Sequence, residues 1–336
     1  MIKQLSIKNF KSIRQLDLSC RRVNVFIGEP NVGKTNVLEA LSLHCPGVWD
    51  DVYQALRAHS LRDIFPQQEV SNPVTITTDN VELQVLKAER GIQLHFSENG
   101  GPPDMPHCTV EIEGHEFDGL DKIREFDEVP EDYWQFPVCY YLFNPNGPLD
   151  AGTWEDSLSP PNGINLATLL GTNKTVRQMA AGFFVNQKYR LTIDRSKNTL
   201  AIAHEEDGAL VSLPYSAVSE TLRRMIFYHL AIDTNAKKVL AFDEPEAHAY
   251  PPYTKILAEK MALDDRGNQF FLTTHSPYML TSLISKTPAE DLNVVLCRME
   301  NFETKAYVMS EEQKVQLMEW GMSAFFNFDR LVDDES

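Results

Sequence analysis

The stretch NVFIGEPNVGKTNVLEAL, Asn24 to Leu41, decides how the rest of this chain is read. It opens on a β-branched and apolar run, VNVFIG, as expected of a strand buried on both faces of a sheet. It closes on KTNVLEALSLH, where Val37, Leu38 and Leu41 fall at helical spacing. Between them, Gly28-Glu-Pro-Asn-Val-Gly33-Lys34-Thr35 fits G-x-x-x-x-G-K-[ST] without a mismatch. Strand, glycine loop and helix form the context that such a match requires. The glycines let backbone N–H groups approach phosphate oxygens, and the helix N-terminus adds partial positive charge. Lys34 is then expected to reach the β- and γ-phosphates of a nucleotide, and Thr35 to place its hydroxyl on Mg²⁺. Asn31, Gly33 and Asn36 complete the candidate nucleotide contacts of this loop.

Two later stretches supply the other half of a site. KKVLAFDEPEAH is an apolar strand ending in Asp243-Glu244, which puts two carboxylates at the C-terminal edge of an open sheet, where ligands of α/β folds lie. Asp243 is the candidate to hold Mg²⁺, and Glu244 to orient and polarise an attacking water. QFFLTTHSPY is a further apolar strand ending at His275, whose neutral imidazole can donate a hydrogen bond to a γ-phosphate. Strands alternating with helices through this last third predict a mainly parallel sheet. The expected fold is therefore an α/β P-loop NTPase, with Lys34, Glu244 and His275 as catalytic candidates.

The remaining segments read as follows. IKQLSI and IRQLDLS are two strands, and VTITT, VELQVLKA, GIQLHFS and CTVEIEG are antiparallel strands divided by turns. EIEGHEFDGLDKIREFDEVPEDYW is a solvated acidic run, FPVCYYLF a buried strand, and NPNGPLDAGTWEDSLSPPNG an irregular loop. Helices follow between Leu166 and Phe184, then strands YRLTID and TLAIAH, then a helix in SETLRRMIFYHLAI. The sequence shows no internal repeat and no sustained heptads. His107, Cys108 and His115 lack the paired spacing of a zinc site, and Phe325, Phe326 and Phe328 read as packing residues. A net charge of −17 opposes non-specific binding to nucleic acid, favouring a solubilising acidic surface or a basic protein partner. Five scattered cysteines without C-x-x-C suit reduced thiols, and no segment has the length and apolarity of a membrane span. These features predict a soluble, cytoplasmic protein with no membrane partner.

Taken in order, IKNFKSI, GKTNVLEAL, DEPEAH and TTHSPY resemble the ABC-type ATPase heads of the SMC, RecF and overcoming-lysogenization-defect (OLD) ATPases. The resemblance covers nearly the whole chain, most weakly between Gly91 and Asn162. It implies a single head with a β-rich and a helical lobe. Residues 1–73 would be the Walker A part, 74–145 the β-rich part with its acidic insertion, 146–235 the irregular and helical lobe, and 236–336 the Walker B and His-switch part. It further implies ATP and Mg²⁺ as cofactors, and two heads sandwiching ATP in a homodimer or higher oligomer. Lys11 would approach the nucleotide, Arg62, Asp63 and Ile64 would border adenine or ribose, and Asn144 would stand at the metal where a glutamine is usual. The segment PYSAVSETLRR occupies the place of the signature motif without its glycine. Ser219 falls on the glycine position and Glu220 on the acid, with Ser216 as a further hydroxyl that can act across the dimer.

Hydrolysis fits this set better than phosphoryl donation, since nothing in the sequence marks a second substrate site. About sixty residues follow His275, too few for an ordinary added catalytic domain. Three uses of the ATP remain open. One is a sensor or regulator working with a separately encoded effector, as many OLD-like ATPases do in phage defence. The others are a DNA-repair or chromosome-handling head, with DNA as partner, and a nucleotide-dependent scaffold that barely hydrolyses.

Overall fold

The computed structural model describes residues 1–49, 52–89, 91–98, 108–113, 122–126, 138–147 and 156–328. The first elements are β1 (Gln4–Phe10), β2 (Ile13–Ser19) and β3 (Val23–Ile27), followed by helix α1 (Lys34–Ser42) and two single turns, α2 (Pro46–Trp49) and α3 (Val52–Ala55). Six strands come next: β4 (Val74–Thr77), β5 (Val81–Lys87), β6 (Gly91–Glu98), β7 (Cys108–Glu113), β8 (Lys122–Phe126) and β9 (Val138–Tyr141). Helices α4 (Leu166–Thr172) and α5 (Lys174–Gly182) lead into β10 (Arg190–Asp194), β11 (Thr199–Glu206) and β12 (Ala209–Pro214). The last third is α6 (Glu220–Asp233), β13 (Val239–Asp243), α7 (Pro251–Ala262), β14 (Gln269–Thr273), α8 (Pro277–Lys286), β15 (Leu292–Glu300), β16 (Glu303–Val308) and α9 (Glu311–Trp320).

The apolar strands assemble the sheet that carries the site. Its order is β16-β15-β3-β14-β13-β9, parallel throughout except for the antiparallel β15–β16 pair. Every residue of β3, β13 and β14 is buried, because side chains alternate between two hydrophobic layers. Val25, Ile27, Phe242 and Leu272 face a core shared with α4, α6, α7 and α8. Phe26, Ala241, Phe271 and Val295 face a second core, built with Val37, Leu38 and Leu41 of α1 and the inner face of an antiparallel sheet. That sheet runs β2-β1-β4-β5-β6-β7-β8, and a third sheet, β10-β11-β12, stands beside the helices.

Four strands were not in the sequence reading: β8, β12 and the β15–β16 pair at one edge of the central sheet. β8, KIREF, lies inside the acidic run expected to be merely solvated, and pairs antiparallel with β7 across a register shift at Glu111/Ile112. β12 was not expected either. It pairs with β11, and five of its six residues are exposed, so it lacks the buried alternation by which strands are found. The longest helix among the described residues, α6, has 14 residues. None is long and apolar enough to cross a membrane. Phe328 is buried and Phe325 packs against the core, whereas Phe326 is 88% exposed.

Candidate functional site

The phosphate loop is held open by backbone conformations that only glycine adopts easily. Gly28 has φ +140°, and a Cβ there would lie 2.3 Å from the Cys297 carbonyl of β15. Gly33 has φ +87° and caps α1 without any side-chain hydrogen bond, leaving the helix's first N–H groups to a ligand. Asn31, on the exposed crown of the loop, has φ +63°. Lys34 is 5% exposed and donates to the carbonyls of Gly28 at 3.0 Å and Glu29 at 2.6 Å. Its ammonium therefore braces the loop from within, and burial draws its pKa below the usual lysine value. Asn36 donates to the Ser12 hydroxyl at 2.7 Å, joining α1 to the β1–β2 turn.

Parallel pairing of β3, β14 and β13 brings the three motifs to one sheet edge. Thr35 donates its hydroxyl to Asp243 Oδ1 at 2.9 Å, and Thr273 donates to the same oxygen at 2.6 Å. The Glu244 N–H donates to Thr273 Oγ1 at 3.0 Å, and Glu244 itself takes φ +42°, turning its side chain out of the strand line. His275 Nε2 is 3.5 Å from Glu244 Oε1. Burial and then the Lys34 charge draw the His275 pKa below its ordinary value, which favours the neutral ring. Thr35 and Asp243 offer hard oxygen donors beside the loop, a set that fits Mg²⁺.

Residues that the sequence reading did not assign complete the site. The Arg57 guanidinium reaches Asp243 Oδ2 and stands 4.0 Å from Glu39 Oε1. Glu39, on α1, is 1% exposed, and burial pushes its carboxyl up to about 7. Lys11 donates to Glu39 Oε2 at 2.6 Å and to the Leu56 carbonyl. Lys11 thus points to a buried acid on α1. Glu246 is likewise raised to about 7 by burial. Glu39 carried a signal in the sequence, being an acid one turn after Thr35 on the apolar side of α1. Arg57 carried none, since it meets Asp243 only through the tertiary fold.

The other candidates are placed further out. Arg62 is exposed and Asp63 accepts from the His59 and Ser60 N–H groups, both at 2.9 Å, in a capping box. Ile64 is fully buried, and its carbonyl accepts the Lys11 N–H at 2.8 Å. Asn144 follows β9, and its Oδ1 accepts from the Asn146 N–H at 2.9 Å, within its own turn. Ser216 and Ser219 are exposed; Ser219 caps α6 by accepting from Leu222 N–H, and Glu220 pairs with Arg224 at 3.0 Å. His107 and His115 lie outside the described residues. Among the described residues no group of three or more His, Cys, Asp or Glu is arranged to hold a metal.

A phosphate loop, paired carboxylates and a strand-end histidine meet on one mainly parallel sheet flanked by an antiparallel sheet, an α/β P-loop fold of the kind found in SMC ATPase heads. Comparison with known proteins agrees. Residues 1–45 match the family model "AAA ATPase domain", and residues 181–281 match "AAA domain, putative AbiEii toxin, Type IV TA system". The fold is similar to an SMC head bound to the C-terminal winged-helix domain of ScpA, with TM-score 0.51 and 14% identity over 94% of this chain and 99% of that one. It is also similar to the Pyrococcus furiosus Smc head bound to the C-terminal domain of ScpA, with TM-score 0.50 and 13% identity over 95% of this chain and 98% of that one. No curated protein sequence matches the chain.

Proposed function

We propose that this protein binds ATP with Mg²⁺, hydrolyses it slowly, and uses the cycle as a nucleotide-gated switch on a separately encoded effector, in the cytoplasm of a bacterium defending itself against phage. One observation carries the hydrolytic part: Thr35, Asp243, Glu244 and His275 meet at one sheet edge, with the Glu244 carboxylate 3.5 Å from the His275 imidazole. Glu244 can then polarise water and His275 can report the γ-phosphate, while Thr35 and Asp243 would hold the metal. The metal would supply charge neutralisation of the phosphates. The family model naming a toxin–antitoxin system supports the regulatory part. The exposed Ser216 and Ser219 and the half-buried Glu220, just before and at the start of α6, are the surface offered to a second head across ATP.

The likeness of fold to SMC heads favours a second reading, a head that handles DNA. Two experiments decide. Glu244→Gln is expected to bind ATP and not turn it over; unimpaired hydrolysis would remove Glu244 from the mechanism. The same variant, tagged and captured from its native cell with ATP present, is expected to retain a stoichiometric protein. Nuclease-sensitive nucleic acid in place of that protein would move the assignment to DNA handling.

A further inference from the structure

Glu246 takes no part in the chemistry above, yet it is a carboxyl in a nearly sealed position, 8% exposed. A buried carboxyl is costly unless its partners compensate. Its partners all belong to the loop that leaves β14. Glu246 Oε1 accepts the Thr274 hydroxyl and, at 3.2 Å, the His275 backbone N–H. Thr274 Oγ1 in turn accepts the Ser276 N–H at 3.0 Å, where α8 begins. Glu246 Oε2 is buried and has no partner. On its own side, Glu246 sits in the turn that follows β13, closed by Ala247 N–H to Glu244 O at 2.9 Å and Ala249 N–H to Glu246 O at 2.8 Å. Glu244 and His248 both hold positive φ within that turn. One tight turn therefore carries Glu244 outward and Glu246 inward, and the inward residue grips the histidine's backbone.

We infer that Glu246 is a positioning residue: it clamps Thr274 and His275 to the Glu244 turn, and so sets the separation between the Glu244 carboxylate and the His275 imidazole. The inference rests on the hydrolytic reading above. Only an acceptor at the Oε1 position is needed, so an amide serves as well as a carboxyl. A carboxyl kept for proton transfer would not tolerate that exchange.

The test uses the full chain with Glu246→Gln, Glu246→Ala and Thr274→Val. Hydrogen exchange at the His275 amide, in nucleotide-free protein, reads the clamp without any turnover. Loss of one hydrogen bond is expected to speed that exchange about tenfold in Glu246→Ala, with Glu246→Gln close to wild type. In steady-state kinetics, Glu246→Ala should lower kcat about tenfold or more with KM for ATP little changed, and Glu246→Gln should keep most of the activity. Combining Glu246→Ala with Thr274→Val should cost little more than the worse single change. Unchanged His275 exchange in Glu246→Ala would overturn the clamp, and so would a Glu246→Gln variant as inactive as Glu244→Gln. A wild-type protein without turnover would overturn the hydrolytic reading alone, because the exchange result judges the clamp separately.

Discussion

Replacing Gly33 by alanine puts a methyl group where the fold is already full. The new Cβ would stand 2.0 Å from Thr304 Oγ1 and 2.7 Å from Ser12 Oγ. Thr304 is fully buried, and its hydroxyl donates to the Val32 carbonyl at 2.9 Å and so accepts from the Ser12 hydroxyl at 2.6 Å. It cannot turn away without giving up both partners, and its backbone is pinned by Thr304 N–H to Ser12 O at 2.8 Å. Two lost hydrogen bonds cost about 2 kcal/mol. Holding a residue with a Cβ at the left-handed φ of +87° adds roughly 1–2 kcal/mol. Gly33→Ala should therefore lose about 3–4 kcal/mol, seen as a lower denaturation midpoint at constant m and a fall in Tm of about 6 °C. With Thr304→Ala in the background the closest atom is gone, and the next, Ser12 Oγ, lies 2.7 Å away on a side chain freed to turn. The cost of Gly33→Ala should then shrink by about 2 kcal/mol in a double-mutant cycle. Strictly additive effects, or a Gly33→Ala variant within about 1 kcal/mol of wild type, would refute this account of how the phosphate loop is braced.

Three further outcomes follow from the site and the core. Arg57 lies on the carboxylate assigned to the metal, so Arg57→Met should bind Mn²⁺ several-fold more tightly in the absence of nucleotide, read by electron paramagnetic resonance; equal affinity would show that the guanidinium does not compete. Burial holds His229 neutral, with its pKa drawn to about 4 against 6.5 in the unfolded chain, so its contribution is complete above pH 6.5 and is lost as pH falls towards 4. Between those limits His229→Leu should lose about 3 kcal/mol less stability than wild type, and parallel pH–stability curves would contradict the assignment. Glu246 runs the other way: its folded pKa, raised from 4.5 to about 7, makes its contribution complete below pH 4.5 and lost as pH rises through 7. Glu246→Gln should therefore gain about 3 kcal/mol on wild type between pH 4.5 and 7 in denaturant titrations, and a constant difference across that window would argue against a protonated side chain.

The parts legible in the sequence are those whose physics is local. VNVFI, VLAFD and QFFLT are apolar at nearly every position because both faces are covered, and each is a buried strand of the central sheet. Gly33 and Lys34 were legible because a loop that presents backbone N–H groups needs those residue types at that spacing. Arg57 was not, because nothing near ALRAHS marks it for a carboxylate on β13. β8 was hidden by its own composition: KIREF sits among acids, and an edge strand is defined by the partner it finds more than by its residues. The Lys11 side chain shows a third kind of gap. Its motif pointed to the nucleotide, and what the sequence did not show is that its ammonium donates to Glu39 and the Leu56 carbonyl.

The strand order of the central sheet sets a timetable for synthesis. β3 delivers the phosphate loop near the start of the chain, but its two neighbours are β14 and β15, and Thr304, which braces Gly33, comes later still. At ribosomal speeds of about 5–20 residues per second, the loop waits roughly 10–50 s for β14 after it leaves the tunnel. Throughout that interval VNVFI is an unpaired apolar segment, and the antiparallel strands made meanwhile can cover only its Phe26 side. On the proposed reading, a nascent chain gains nothing from cellular ATP until the C-terminal strands arrive, so nucleotide would reward the completed fold without guiding its assembly.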